Sequence, residues 1–256
     1  MAAAGACSAD MHATAAKTEL NEILPLRVLF LQEFNRQFIN NAFHERGWAD
    51  SYLLAIDGVT VGYGSIQGRE IKDRDTIFEF YVIPAFRNYS SQLFRELIAA
   101  ADAKYIECQS NDMQLSAMLY EFSASVDSKV VLFEDHVVTD HVIPGAVLRH
   151  GGQENWTYKP SEKAGEYVLE LGGEIVATAG FLLHYNKPFA DLWMEVREDH
   201  RRQGLGSFAL QEVKKECYLA GRVPAARCNM KNPASRATLI RAGMRVCGFL
   251  LIGQLN

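Results

Sequence analysis

Arg201-Arg202-Gln203-Gly204-Leu205-Gly206 lies between a run of strand-forming residues, Leu192-Trp-Met-Glu-Val196, and an amphipathic stretch that runs from Gly204 to Ala220. A strand that enters a turn rich in small residues and leaves it as a helix points successive backbone N–H groups one way, and the resulting concave, positive surface suits a pyrophosphate. Gly204 and Gly206 lack the Cβ that would bar positive φ and close approach of a phosphate, and Arg201 and Arg202 bring charge to its rim. Other phosphate motifs do not fit. The chain has no G-x-x-x-x-G-K-[ST], and Gly204-Leu-Gly206-Ser-Phe-Ala209 puts Ala where a dinucleotide turn needs its third Gly and lacks the buried parallel strands of that setting.

Working outward, the chain resembles itself. Tyr52-Leu-Leu-Ala-Ile-Asp-Gly-Val-Thr-Val-Gly-Tyr-Gly-Ser-Ile66 precedes Tyr167-Val-Leu-Glu-Leu-Gly-Gly-Glu-Ile-Val-Ala-Thr-Ala-Gly-Phe181 by 115 residues, and both read as hairpins turning at Asp57-Gly58 and Gly172-Gly173. Next come the strands around Phe78 to Val82 and Leu192 to Val196, aligned at an offset of 114, and each ends in a loop with Arg. Helical patterns follow at Leu93 to Ala103 and Gly204 to Ala220, then short strands at Tyr105 to Cys108 and Ala225 to Cys228, then helices at Met113 to Phe122 and Pro233 to Ala242. Pro233 suits a first helical turn and Gly243 a stop. This order predicts a flexible tail at 1–16, a first domain at 17–143 and a second at 144–256. Only the first has a leading helical region, Thr18 to Phe43, so the second is abbreviated at its start.

Composition limits the function classes. Of 256 residues, 48 % are hydrophobic and 22 % charged, as in ordinary globular chains. No apolar run approaches the roughly 20 residues that span a bilayer, and the Ala-rich start has neither a basic n-region nor a continuous apolar stretch, so no membrane association is expected. Cys7, Cys108, Cys217, Cys228 and Cys247 are odd in number and scattered, which argues against a disulfide framework or structural zinc and for a reducing cytoplasm. The net charge of −5 divides unevenly: residues 190–256 carry 11 Lys/Arg against 6 Asp/Glu, the remainder 15 against 25. The basic residues interleave with helix and turn signals without an aromatic run, which fits a small anionic ligand and not nucleic acid. Asp135-His136 and Asp140-His141 alternate with Val and Thr as polar positions of a half-buried strand would, so no metal site is expected.

Val196-x-x-x-x-Arg201-x-x-Gly204-x-Gly206 resembles the acetyl-CoA signature of the GNAT superfamily, and Asn232-x-x-Ser235 with Gly243-Met244 resembles that family's next motif, over about residues 165 to 256. The resemblance implies an α/β (α+β) fold of tandem GNAT-like mixed sheets flanked by helices, in which two strands splay and the pantetheine arm inserts as a pseudo-strand. It implies that the main chain of Met194 to Val196 bonds the pantetheine, and that N–H groups of Gln203, Gly204, Leu205, Gly206 and Ser207 hold the pyrophosphate. It places Arg201 and Arg202 at the rim, with Asn232 and Ser235 further along the cofactor. The first half resembles a decayed copy, because Arg87-Asn-Tyr-Ser90-Ser-Gln92 has Ser and Gln at the glycine positions.

The activity implied is transfer of an acetyl group from acetyl-CoA to a primary amine of a small molecule or peptide, by direct attack in a ternary complex. An amine with pKa near ~10 needs a proton acceptor. Glu195, on the strand flanking the thioester, is the candidate base, and a backbone N–H near Val196 is the candidate oxyanion donor. The family's usual acid, a Tyr seven residues after the Asn, is Leu239 here, with Tyr218 and Tyr185 as possible substitutes. That gap keeps a second reading open, a catalytically silent CoA-binding sensor or interaction module. Acceptor identity, preferred acyl chain and oligomeric state are not written in these motifs.

Overall fold

The computed structural model describes residues 11–37, 41–152 and 166–256. In chain order its elements begin β1 (Ala13–Thr18), α1 (Leu20–Phe34), α2 (Asn41–Glu45), β2 (Ala49–Ile56), β3 (Val59–Gln67), β4 (Thr76–Val82), α3 (Ser90–Ala101), β5 (Tyr105–Gln109) and α4 (Met113–Phe122). They continue β6 (Ser123–Asp135), β7 (Ala146–His150), β8 (Tyr167–Leu171), β9 (Glu174–Leu182), β10 (Phe189–Val196), α5 (Leu205–Leu219), β11 (Val223–Asn229), α6 (Pro233–Arg241) and β12 (Met244–Leu255). Contacts divide the chain into one unit of Met1–Arg36, Phe43–Asp127 and Leu251–Asn256 and another of Gln37–Ala42 and Ser128–Leu250. Two long strands, β6 and β12, therefore each give residues to both units.

In the first unit the strands run β1-β2-β3-β4-β5, antiparallel up to β4 and parallel between β4 and β5. Part of the stretch expected as a tail is ordered: Ala13 to Thr18 pair with Ile56 to Ser51 as β1. Small Ala and Thr side chains give little hydrophobic signal, and main-chain pairing decides the outcome, helped by His12 N donating to Asp57 Oδ1 at 2.8 Å. The leading helical region resolves into α1 and α2. A T-shaped pair, Phe80 with Phe94 at 4.9 Å, fixes α3 on the sheet.

In the second unit the order is β6-β11-β10-β9-β8-β7, with β10 and β11 parallel and the other pairs along β7 to β10 antiparallel. Both hairpins turn where expected, through Asp57 (φ 48) and Gly58 (φ 79), and through Gly172 (φ 61) and Gly173 (φ 84), the paired positive φ values that match a hairpin's twist. Leu205, Leu210, Val213 and Cys217 of α5 are buried against Ala177, Ala179 and Leu192 of the sheet, and each fully buried Leu or Val contributes roughly 1.5–3 kcal/mol. Strand character, expected through His141, ends at Asp135. Beyond it His136 and Val137 both donate to Gly243 O, at 3.1 and 2.9 Å, and the Gln211 side chain bonds both main-chain groups of His141. The segment is pinned by single bonds rather than by a ladder. Of the abbreviated region at 145–164, β7 fills the start, while 153–165 and Cys7 lie outside the described residues.

Candidate acyl-donor site

Six residue pairs join β10 to β9, from Asp191↔Leu182 to Val196↔Ala177. On its other edge β10 pairs with β11 through only three, Phe189↔Val223 to Asp191↔Ala225. On its opposite edge β11 pairs with β6, from Ala225↔Glu134 to Asn229↔Val130. The two parallel strands thus form a fork whose closed end is Asp191 and Ala225, with the β10 edge from Leu192 to Val196 outside any ladder to β11. Such an edge offers N–H and C=O groups to an extended ligand, over about 16 Å at 3.3 Å per residue.

At the open end the chain passes Arg202 (φ 64) and Gly204 (φ 82), two left-handed residues, before α5 begins at Leu205. Their conformation turns N–H groups inward, and the first-turn N–H groups of α5 have no intrahelical acceptor, so loop and helix dipole together make an anion seat. Arg201 Nε closes the turn on Val196 O at 3.1 Å. The two glycines serve different ends. Gly204 is left-handed, whereas a Cβ on Gly206 would meet Thr238 Cγ2 at 3.1 Å and Met194 Cε at 3.2 Å. Leu205 and Ser207 are buried, Ser207 Oγ donating to Thr238 O at 3.3 Å, so these two could offer a ligand only their N–H groups. Asn232 caps α6, its Oδ1 accepting from Ser235 N at 3.0 Å, which gives both motif residues a local structural duty. Sequence reading missed one cation: the Arg241 guanidinium stands 3.7 Å from the Cβ position of Gly204. As the last residue of α6 it carried no spacing signal relative to the loop.

The face of β10 away from α5 presents Asp191, Trp193 and Glu195, since Met194 and Val196 pack towards the α5 core. Glu195 is half-buried, and Arg201 Nη2 lies 3.7 Å from its carboxylate. At the closed end Asp191, 5 % exposed, meets His184 Nε2 at 3.2 Å, outside hydrogen-bonding angle, and Arg227 Nε at 3.3 Å. Burial, then Asp191, hold the Tyr185 hydroxyl well above the ordinary phenol range. Leu239 belongs to the core, and Tyr218 Oη donates to Asp135 Oδ2 at 2.6 Å. Asp135 also pairs with Lys214, and His141 Nε2 lies 2.7 Å from Arg241 O. Among the described residues no cluster of three or more metal-ligating side chains forms.

The first unit carries the same plan, altered at each contact point. Here β4 and β5 pair only at Thr76↔Tyr105 and Ile77↔Ile106, and Arg87 Nε reaches Val82 O at 3.2 Å as Arg201 reaches Val196. The Gln114 carboxamide, however, accepts from Val82 N at 3.0 Å and donates to Val82 O at 3.3 Å. A side chain has taken both main-chain groups at that position. The connecting loop is a 3₁₀ turn, Pro84–Tyr89, and Ser90 is right-handed (φ −54, ψ −46), so no left-handed turn forms. Beneath it Glu79 is buried and bonded by Arg27, by His44 and by Tyr63, a network that holds its carboxyl below the usual range through Arg27 and His44 against the opposing effect of burial.

Fork, left-handed loop and helix in this order define an acetyltransferase-type α/β fold, and comparisons with known proteins agree. Residues 136–244, all within the second unit, match the model of the acetyltransferase (GNAT) family. No curated protein matches the chain. Among solved structures it is similar to an acetyltransferase from the GNAT family of Colwellia psychrerythraea, at TM-score 0.76 and 15 % identity, covering 95 % of this chain and 100 % of that one. A tandem GNAT protein from the clavulanic acid biosynthesis pathway matches at TM-score 0.57 and 12 % identity, over 95 % of this chain and 97 % of that one. A GCN5-related N-acetyltransferase from Sphaerobacter thermophilus matches at 0.53 and 14 %, over 96 % and 95 %. At these identities the likeness is one of fold. Among the described residues no helix is long and apolar enough to cross a membrane.

Proposed function

We propose that this protein transfers an acetyl group from acetyl-CoA to a primary amine of a small molecule or peptide, by direct attack in a ternary complex in its second unit. The observation that carries this reading is the fork: a parallel ladder that stops at Asp191↔Ala225 and opens toward a left-handed loop at a helix start. Donor phosphates sit on the N–H groups of Gln203 to Ser207, with Arg201, Arg202 and Arg241 around them, and the pantetheine amides bond the β10 edge at Met194 to Val196. Asn232 and Ser235 flank the cofactor further along. A β10 N–H serves the developing oxyanion. The proton acceptor lies on the face away from α5, where Glu195 and the groups around Asp191 are the titratable side chains. The first unit binds no donor, because Gln114 holds the main chain of Val82 and its loop forms no anion seat. The excess of acidic residues in 1–189 favours a cationic acceptor. Among the described residues Cys108, Cys217, Cys228 and Cys247 form no disulfide, and burial pushes Cys108 up to about 12 and Cys217 to about 11, which fits a reducing cytoplasm.

The test is release of CoA from acetyl-CoA across a panel of amines, with calorimetric binding of CoA alongside. Turnover with at least one amine is expected, and Gly204→Val should abolish both turnover and binding. Binding with no turnover on any amine would favour the second reading, a catalytically silent CoA-binding module, for which Leu239 in the core at the family's Tyr position is the motivating observation.

A further inference from the structure

A donor anchored by its phosphates at residues 203–207 and extended along β10 carries its reactive end toward the closed end of the fork. Glu195 is one residue from the open end. It stands four residues from Asp191, about 13 Å along the strand. Where the fork closes, a different set of side chains converges on the same face. Asp191 is buried there, with the His184 imidazole at 3.2 Å on one side and the Arg227 guanidinium at 3.3 Å on the other.

Resting on the acyl-transfer reading above, we propose that His184 is the proton acceptor for the incoming amine and that Asp191 is its positioning residue. The contact to Asp191 is made through Nε2, which leaves Nδ1 on the other edge of the ring. A carboxylate charge 3.2 Å from Nε2 favours the proton on that nitrogen electrostatically and leaves Nδ1 as the acceptor. Arg227 grips the same carboxylate from β11 and keeps it in place. The ring is also fixed by its neighbours: its own backbone O accepts from Ala42 N at 3.4 Å, and the Tyr185 ring packs edge-on at 4.5 Å. The titratable and charged groups facing this pair are Asp191 from β10, Arg227 from β11, Tyr185 from the same loop and, beside Tyr185, Cys247 from β12. Tyr185 stays protonated through the working range and so does not compete as a base.

The step balances within the two substrates. The amine lone pair forms a C–N bond to the thioester carbonyl carbon, and the surplus N–H proton passes to His184 Nδ1. The C–S bond then breaks with its electron pair on sulfur, and the thiolate takes a proton from the imidazolium or from water. The products are an amide and CoA with its thiol restored.

The experiment measures kcat against pH for the full chain and for His184→Gln, His184→Ala, Asp191→Asn and Glu195→Gln, with the Kd for CoA of each. His184→Gln should lower kcat by about 10²–10⁴-fold and remove the acid limb of the profile, with CoA affinity within twofold of the parent. Added imidazole should restore part of the rate to His184→Ala, and Asp191→Asn should shift the limb while keeping it. An unchanged profile in His184→Gln, or loss of the limb only in Glu195→Gln, overturns the proposal and leaves the acyl-transfer reading standing. If the parent turns over no amine, the acyl-transfer reading fails and the proposal fails with it. A variant that does not fold shows itself by lost CoA binding, and the imidazole response of His184→Ala then decides.

Discussion

A Cβ placed on Gly204 would meet nothing nearer than the Arg241 guanidinium at 3.7 Å, whereas the same atom on Gly206 would press on Thr238 and Met194 at 3.1 and 3.2 Å. The two substitutions should therefore fail differently. Gly204→Ala forces an L side chain into the left-handed region at a cost of roughly 1–2 kcal/mol, spent where the anion seat forms, so CoA affinity should drop about tenfold with the urea midpoint little moved. Gly206→Ala keeps an ordinary φ but overpacks the α5–α6 contact, so stability should fall by about 1–3 kcal/mol, and Thr238→Ser, which removes the offending Cγ2, should restore much of it. A rescue failing in that double variant would show that Gly206 serves the ligand rather than the packing. In the first unit, Asp112 caps α4 through Leu115 N, and burial pushes its carboxyl up to about 6 from 3.8. Between those values the folded form holds more protons than the unfolded one. Its contribution is therefore fully present below the unfolded value and is lost as pH rises through 6, about 3 kcal/mol at most. Glu79, shifted the other way, loses its contribution only as pH falls below its unfolded value of 4.5. Comparing urea midpoints of parent and Asp112→Asn from pH 4.5 to 7 isolates the first effect: Asn keeps the cap and should flatten the slope. Equal slopes in the two proteins would refute it.

At the level of elements, the paired bonds Arg87 to Val82 and Arg201 to Val196 put the sequence offset of 114 into atomic form. The hairpins, the helix starts and the Gly-x-Gly turn were legible because each depends on a few neighbouring residues. β1 was not, since Ala and Thr carry little pattern, and nor was the sharing of β6 and β12 between units, which depends on partners far along the chain. The site divides the same way. Its loop could be read directly, but Arg241, the group around Asp191 and the Gln114 contact arise from side chains that tertiary packing brings together. That last contact makes its own prediction. Gln114→Leu leaves the N–H of Val82 without its side-chain partner, while Val82 O keeps Arg87 Nε, so the first unit should lose about 1–3 kcal/mol of stability. It should gain no donor site, because the 3₁₀ turn at Pro84–Tyr89 still presents no left-handed residue. A second equivalent of CoA bound by that variant would mean that Gln114 alone had closed the first fork.

For the whole molecule the question becomes how many donors one chain holds. Two forks of common plan would give two sites if strand divergence were sufficient, yet of the two loops only the second turns through left-handed residues, Arg202 and Gly204. Phosphate charge dominates a donor's demand on its loop, and a loop without converging N–H groups would leave that charge facing the 3₁₀ turn and the right-handed start of α3. Calorimetry should therefore return one CoA per chain. Because binding stabilises only the form that binds, CoA at 100 times its Kd should raise the second unit's stability by about 2.7 kcal/mol. Hydrogen exchange locates that gain: the N–H groups of residues 203–207 and of β10 from Leu192 to Val196 should slow, while those of residues 84–92 and of β4 keep their rates. The loop cations are exposed, so affinity should also weaken with added salt as their field is screened over about 8–10 Å. Protection appearing at residues 84–92, or a stoichiometry of two, would assign donor binding to the first unit as well and overturn the division of labour between the copies.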